Sequence, residues 1–219
     1  MNNKKRVQTF FLAKMPFLIV LYIFVTSLTF SVYNARFALR DNEKIQIFAT
    51  TYGIKNNSFV NELLEELQDA GVMDVMLYDY SPATPRYYDF FTAQGLKSDF
   101  HIMPGAVLRD MQDVVNDYYV VLDANLKAMF INNGLDKYDF FTYDTNDIGL
   151  AIYKENEVAY NNNFTYADAF TFMSPNGESD DFYLLINRAS LNIVGYNDKA
   201  TTTHAFRAFA WLLERFANE

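Results

Sequence analysis

The 219-residue chain has no cysteine, two histidines, one tryptophan and no acidic residue before Asp41. Without cysteine there are no disulfides, zinc-thiolate sites, thiol catalysis or lipoprotein anchor. The histidines, His101 and His204, have no partner at metal-ligand spacing such as His-x-x-x-His, so packing or surface solvation explains them better than a metal or catalytic role. No Gly-x-Ser-x-Gly elbow, P-loop or Gly-x-Gly-x-x-Gly occurs. With no nucleophile–base pair, neither an enzyme nor a cofactor is expected.

The chain does contain a long apolar run. Met15 to Tyr33 carries 19 residues without a charge, and at about 1.5 Å per helical residue that covers a bilayer core of about 30 Å. Lys4, Lys5, Arg6 and Lys14 precede it, outnumbering Arg36 and Arg40 after it, which favours an N-terminus inside. The expected division is a cytoplasmic basic segment over 1–14, a transmembrane signal anchor over 15–34, a juxtamembrane linker over 35–43 and an extracytoplasmic domain over 44–219. A cleaved secretory signal is the competing reading. Its apolar region would be shorter and end in Ala-x-Ala, whereas here the run ends Phe30-Ser31-Val32-Tyr33-Asn34-Ala35-Arg36. A buried core helix is a third reading, and fits a segment apolar on every side less well.

After residue 40 the chain holds 12 Lys plus Arg against 27 Asp plus Glu, a net −15. That surface repels nucleic acid and anionic headgroups, so no nucleic-acid partner is expected. Strand and helix patterns alternate along this part. Lys44–Thr50 reads as a strand, and Asn57 or Ser58 can cap the helix that carries Phe59, Leu63 and Leu67 to a stop at Gly71. Val72–Tyr80 is the second strand, which predicts a parallel pair with a right-handed crossover. Further on come a short helix over Arg86–Gln94, a strand over Asp99–Met103, a helix over Ala106–Asn116, an extended run over Tyr119–Leu122 and a short helix over Asn125–Asn132. Phe140–Tyr143 and Ile148–Lys154 form an antiparallel-capable pair, Asn156–Asp181 reads mostly as loop, Phe182–Asn187 as a buried strand and Thr201–Ala217 as the last helix. The expected fold class is α/β: three layers, a mostly parallel sheet with helices on both faces, preceded by one transmembrane helix.

Ligands of open α/β sheets bind at strand carboxyl ends. Those ends hold Thr51, Tyr52, Asp79 and Tyr80, and tyrosine beside aspartate suits a polyhydroxylated ligand. Coverage of the sheet edge by the tyrosines is the alternative. Arg188, after the Phe182 strand, is a fifth candidate as an anion clamp. Asp144, Asn146, Gly149 and Glu155 stand at EF-hand positions one, three, six and twelve, but Ile148 and Ile152 occupy ligand places and a tight turn accounts for the stretch better. No metal site is expected. Asn56-Asn57-Ser58 and Asn163-Phe164-Thr165 fit the glycosylation pattern, and Trp211 reads as a core residue.

Several stretches together resemble a known family: Lys44–Phe48, Ser98–Pro104 with Val107-Leu108, Tyr118–Asp123, Asp147–Tyr153, and Phe182–Ser190 with Trp211-Leu212-Leu213. They are similar to the extracellular solute-binding proteins of ABC importers, the periplasmic-binding-protein type II group. The resemblance implies a first strand at Lys44, a strand crossing to a second lobe near Tyr153 and a returning strand at Phe182. It also implies a small polar solute, a sugar-like one included, and an ABC importer permease or other membrane protein as partner. Members usually carry two lobes of about 100–200 residues. Here only the 28 residues 154–181 separate crossing from return, which implies a single lobe. The rival expectation is a protein-interaction or sensor module that uses this lobe for docking.

Overall fold

In a computed structural model of the chain, residues 3–37, 39–110, 118–135, 148–153 and 166–216 are described. The chain divides into two units, Met1–Arg40 and Asp41–Glu219. The first is one helix, α1 (Asn3–Phe37), whose stretch Ala13–Tyr33 has a mean hydropathy of 2.1, long and apolar enough to cross a membrane. Side chains from Met15 to Tyr33 are exposed all round. Both threonine hydroxyls of the apolar stretch bond back within the helix: Thr26 donates to the Tyr22 carbonyl at 2.5 Å and Thr29 to that of Val25 at 2.8 Å. Such back-bonding spares these two hydroxyls the cost of standing unpaired in an apolar medium.

The second unit holds β1 (Lys44–Ala49), α2 (Ser58–Leu67), β2 (Asp74–Asp79), α3 (Tyr87–Ala93), β3 (Phe100–Pro104), α4 (Gly105–Asp110), α5 (Ala124–Asn132), β4 (Gly149–Tyr153), α6 (Tyr166–Ala169), β5 (Phe182–Ile186) and α7 (His204–Phe216). Among the described residues the strands form one mixed sheet of five in the order β2-β1-β3-β5-β4. β1 pairs parallel with both β2 and β3, while β5 pairs antiparallel with both β3 and β4. Four strands therefore run one way, and β5 alone is reversed. The expectation of a mostly parallel sheet holds for strand direction, but half of the neighbour pairings are antiparallel. β4 takes β5 as its described partner; Phe140–Tyr143, the expected partner, lies outside the described residues, as does most of the expected helix over Ala106–Asn116 beyond α4.

Alternation along the strands sorts side chains into two clusters. From β1, Ile45, Ile47 and Ala49 join α2 and α7 through Phe59, Leu63, Phe209 and Leu213. Phe48, one residue out of phase, joins Tyr87 and Phe91 of α3, Leu108 of α4 and Tyr119 instead. Helix α2 forms because Phe59, Leu63 and Leu67 fall on one stripe, all buried. Its exposed acids face α7: Glu62 pairs with Arg215 at 2.6 Å and Glu66 with Arg207 at 2.8 Å. Being solvated, such pairs orient the helices more than they stabilise them. Asn57 holds the N-cap position of α2 without a side-chain bond; the Asn56 carboxamide accepts from the Ser58 amide at 2.9 Å instead. The stop at Gly71 is as expected, with φ 93° and its amide on the Gln68 carbonyl. Trp211 packs half-buried against the core.

Candidate functional site

The five residues singled out from the sequence fall at two opposite ends of the sheet. Thr51, Tyr52 and Tyr80 follow β1 and β2 at their carboxyl ends, and Asp79 is the last residue of β2. Arg188 follows β5, whose last residue, Ile186, pairs with Phe100 at the start of β3. Reversal of β5 thus carries Arg188 to the amino ends, and the group of five is not one site.

At the carboxyl ends the polar groups are largely engaged with each other. The Thr51 hydroxyl donates to Asp79 Oδ1 at 2.7 Å, and burial, opposed by that bond, pushes the Asp79 carboxyl up from its ordinary pKa. Tyr80 stacks between Phe90 at 4.6 Å and Phe48 at 5.5 Å and donates to Gln94 at 3.0 Å. It covers the sheet edge, the alternative set beside sugar stacking. Burial, then the charges of Glu178 and Asp180, raise the Tyr52 phenol. This end is acidic.

At the amino ends a cleft of about 710 Å³ opens, with Lys97, Tyr118, Arg188, Tyr196 and Lys199 around it and Asp99 in its lining. A second cleft of about 520 Å³ shares Arg188 and Tyr196 with it. Its walls are tied by asparagine side chains. Asn187 donates to the Ser98 carbonyl at 2.7 Å and accepts from the Ala189 amide at 2.9 Å. Asn197 donates to the Ala189 and Ser190 carbonyls and accepts from the Lys199 amide. Asn192 donates to the Lys44 carbonyl at 3.0 Å and accepts from Thr202 at 2.9 Å.

Asp99, only 3% exposed, joins these elements. One carboxylate oxygen accepts from Ser190 and from Asn192, the latter at 3.0 Å; the other accepts from the Gln46 amide at 2.7 Å. Burial pushes its pKa up to about 6 in spite of those donors. Behind the cleft, His101 is buried among Phe48, Phe91 and Tyr119. Its Nε2–H donates to the Gly95 carbonyl at 2.6 Å, which leaves Nδ1 to accept from the Tyr119 hydroxyl. Burial lowers its pKa to about 4, so the ring is neutral. The packing role expected for it fits this setting.

Lys97, Tyr118, Tyr196 and Lys199 were not singled out by sequence reasoning. A usable signal was present: the strand FYLLIN is followed by Arg188, Ser190, Asn192 and Asn197, more polar side chains than a plain turn needs. Among the described residues no group of three or more His, Cys, Asp or Glu side chains can hold a metal ion. Of Asp144, Asn146, Gly149 and Glu155 only Gly149 is described; it opens β4, in which Ile152 is buried, so that part is strand and not loop. Asn56 of the first glycosylation pattern is exposed, while the second lies outside the described residues. Compared with known proteins, the chain matches no family model, no curated protein and no solved structure.

Proposed function

We propose that this is a single-pass membrane protein with a cytoplasmic N-terminus and an extracytoplasmic α/β domain of solute-binding type. Its function is non-enzymatic: it takes a small polar solute, or assists an ABC importer in doing so. The cleft beside Arg188 carries the proposal. A volume of about 710 Å³ suits a small molecule. Its asparagine-tied walls are set before a ligand arrives, which spares the cost of ordering them. The basic excess at the start of α1, ahead of its apolar stretch, supports the orientation. A three-layer arrangement belongs to the same reading, supported by α2 and α7 packing on one cluster and α3 on the other. So does the family resemblance, whose crossing and returning strands correspond to β4 and β5, neighbours in the sheet.

One observation favours docking instead. Only residues 154–181 join β4 to β5, and the one described helix among them, α6, has four residues, far short of a second lobe. A domain already held at a membrane needs only weak contacts to engage a membrane partner. A thermal-shift screen of the full chain in detergent, against sugars, oligosaccharides and amino acids at millimolar concentration, separates the two. Solute binding predicts that a ligand at 100 times its Kd adds about 2.7 kcal/mol, a rise of roughly 5–10 °C. Stabilisation by none of them, nor by small organic anions added to the same panel, leaves docking as the reading.

A further inference from the structure

The solute-binding reading leaves open where the solute sits and what it is. The chain after residue 40 is strongly acidic, yet three cations, Lys97, Arg188 and Lys199, meet around one cleft. None of the three makes an ion pair among the described residues. The acids nearby are mostly committed. Asp41 pairs with Lys44 at 2.8 Å, and Asp99 is buried under its three donors. Asp198 is the remaining carboxylate in the lining.

Arg188 has a fixed base. Its amide donates to the Tyr118 carbonyl at 2.7 Å, and the turn after it is held by Asn187 and Asn197. Its charge also reaches Tyr196: burial and then Asp123 raise that phenol, and Arg188 draws it back. Arg188 is exposed and lines both clefts together with Tyr196, and Tyr118 lines the larger one. A planar fork of donors beside tyrosine rings, with two ammonium groups on the rim, matches an oxyanion attached to a small organic body.

We infer that the amino-end cleft is the ligand site and that its ligand is a small organic anion, with the oxyanion on Arg188 and the body between Tyr118 and Tyr196. This deepens the solute-binding reading and rests on it. It moves the site away from the strand carboxyl ends, where the local charge is negative and would repel such a ligand.

The test is isothermal titration of the full chain in detergent with malate, glycerol 3-phosphate and glucose. Malate or glycerol 3-phosphate should bind, and whichever binds more tightly identifies the oxyanion as carboxylate or phosphate. Arg188→Gln should weaken that binding at least tenfold without shifting the unliganded melting temperature. Arg109→Gln, the same change of charge at the Asp180 end of the sheet, should leave it within twofold. If both variants lose binding equally, net charge rather than the cleft is responsible and the inference fails. It fails also if an anion binds Arg188→Gln as tightly as the unaltered chain. Glucose binding alone, unaffected by Arg188→Gln, would overturn the anion site while sparing solute binding; binding of none of the three by a folded chain overturns the site and counts against the wider reading too.

Discussion

Asp99→Ala is expected to lower the stability of the α/β domain by about 3–5 kcal/mol. The substitution strands the Gln46 amide, the Ser190 hydroxyl and one of the Asn192 donors in a buried place, and each unsatisfied group costs about 1–3 kcal/mol. Among the described residues only Asn192 has other acceptors, the Asp41 and Lys44 carbonyls. At about 2–4 °C per kcal/mol for a domain of this size, the melting temperature should fall by roughly 6–20 °C. Asp99→Asn should cost far less, about 1 kcal/mol or below, because its carbonyl can still serve the Gln46 amide and the buried charge is gone. Thermal unfolding followed by circular dichroism separates the two. Equal losses would mean that charge, and not hydrogen bonding, holds the start of β3 to the loop after β5.

The second large effect depends on pH. Asp99 has a folded pKa of about 6 against an ordinary 3.8. The folded state holds its proton more tightly, so the stability it contributes at low pH is lost as pH rises from about 4 through 6. His101 is opposite, with a folded pKa of about 4 against 6.5. Its contribution is present above 6.5 and lost as pH falls through 4. Each shift of about two units is worth on the order of 3 kcal/mol. Between pH 4 and 6 the two slopes therefore nearly cancel. Asp99→Asn should expose the histidine alone: relative to the unaltered chain, its stability should fall by on the order of 3 kcal/mol from pH 6.5 to 4. His101→Phe should expose the carboxyl and tilt the difference the other way. Difference profiles from urea unfolding at several pH values check this, since all other groups are common to the pair compared. Parallel profiles for unaltered chain and Asp99→Asn would sink it.

Local pattern made the first half of the fold legible. The spacing of Phe59, Leu63 and Leu67 and the stop at Gly71 place α2 between two strands, and the parallel β1–β2 pair follows from that connection. The direction of β5 was not legible in the same way. Five apolar residues, FYLLI, fit a buried strand in either sense; where and which way it enters is decided by long-range pairing with Phe100–Pro104. That one reversal separates Arg188 from Thr51 and Asp79. Asp99 shows a different limit of pattern reading. An aspartate ahead of an apolar strand looks like a solvated boundary residue, and its donors, Ser190 and Asn192, stand some 90 positions away in the chain. Tyr80 went unassigned between two roles because the sequence places aromatic residues nearby without saying that Phe48 and Phe90 close on both faces of the ring.

Every functional reading above requires α1 to cross a membrane and the α/β domain to stand outside it. The chain is free of cysteine, so single cysteines report its sidedness without background. Glu65→Cys, at an exposed position on α2, and Asn3→Cys, at the start of α1, are to be treated with a membrane-impermeant maleimide on intact spheroplasts and again after lysis. The account predicts that the cysteine at 65 is labelled in intact spheroplasts and the one at 3 only after lysis, both in protein that stays with the membrane. Labelling at 65 only after lysis, or loss of the tagged N-terminus from the mature chain, would contradict it.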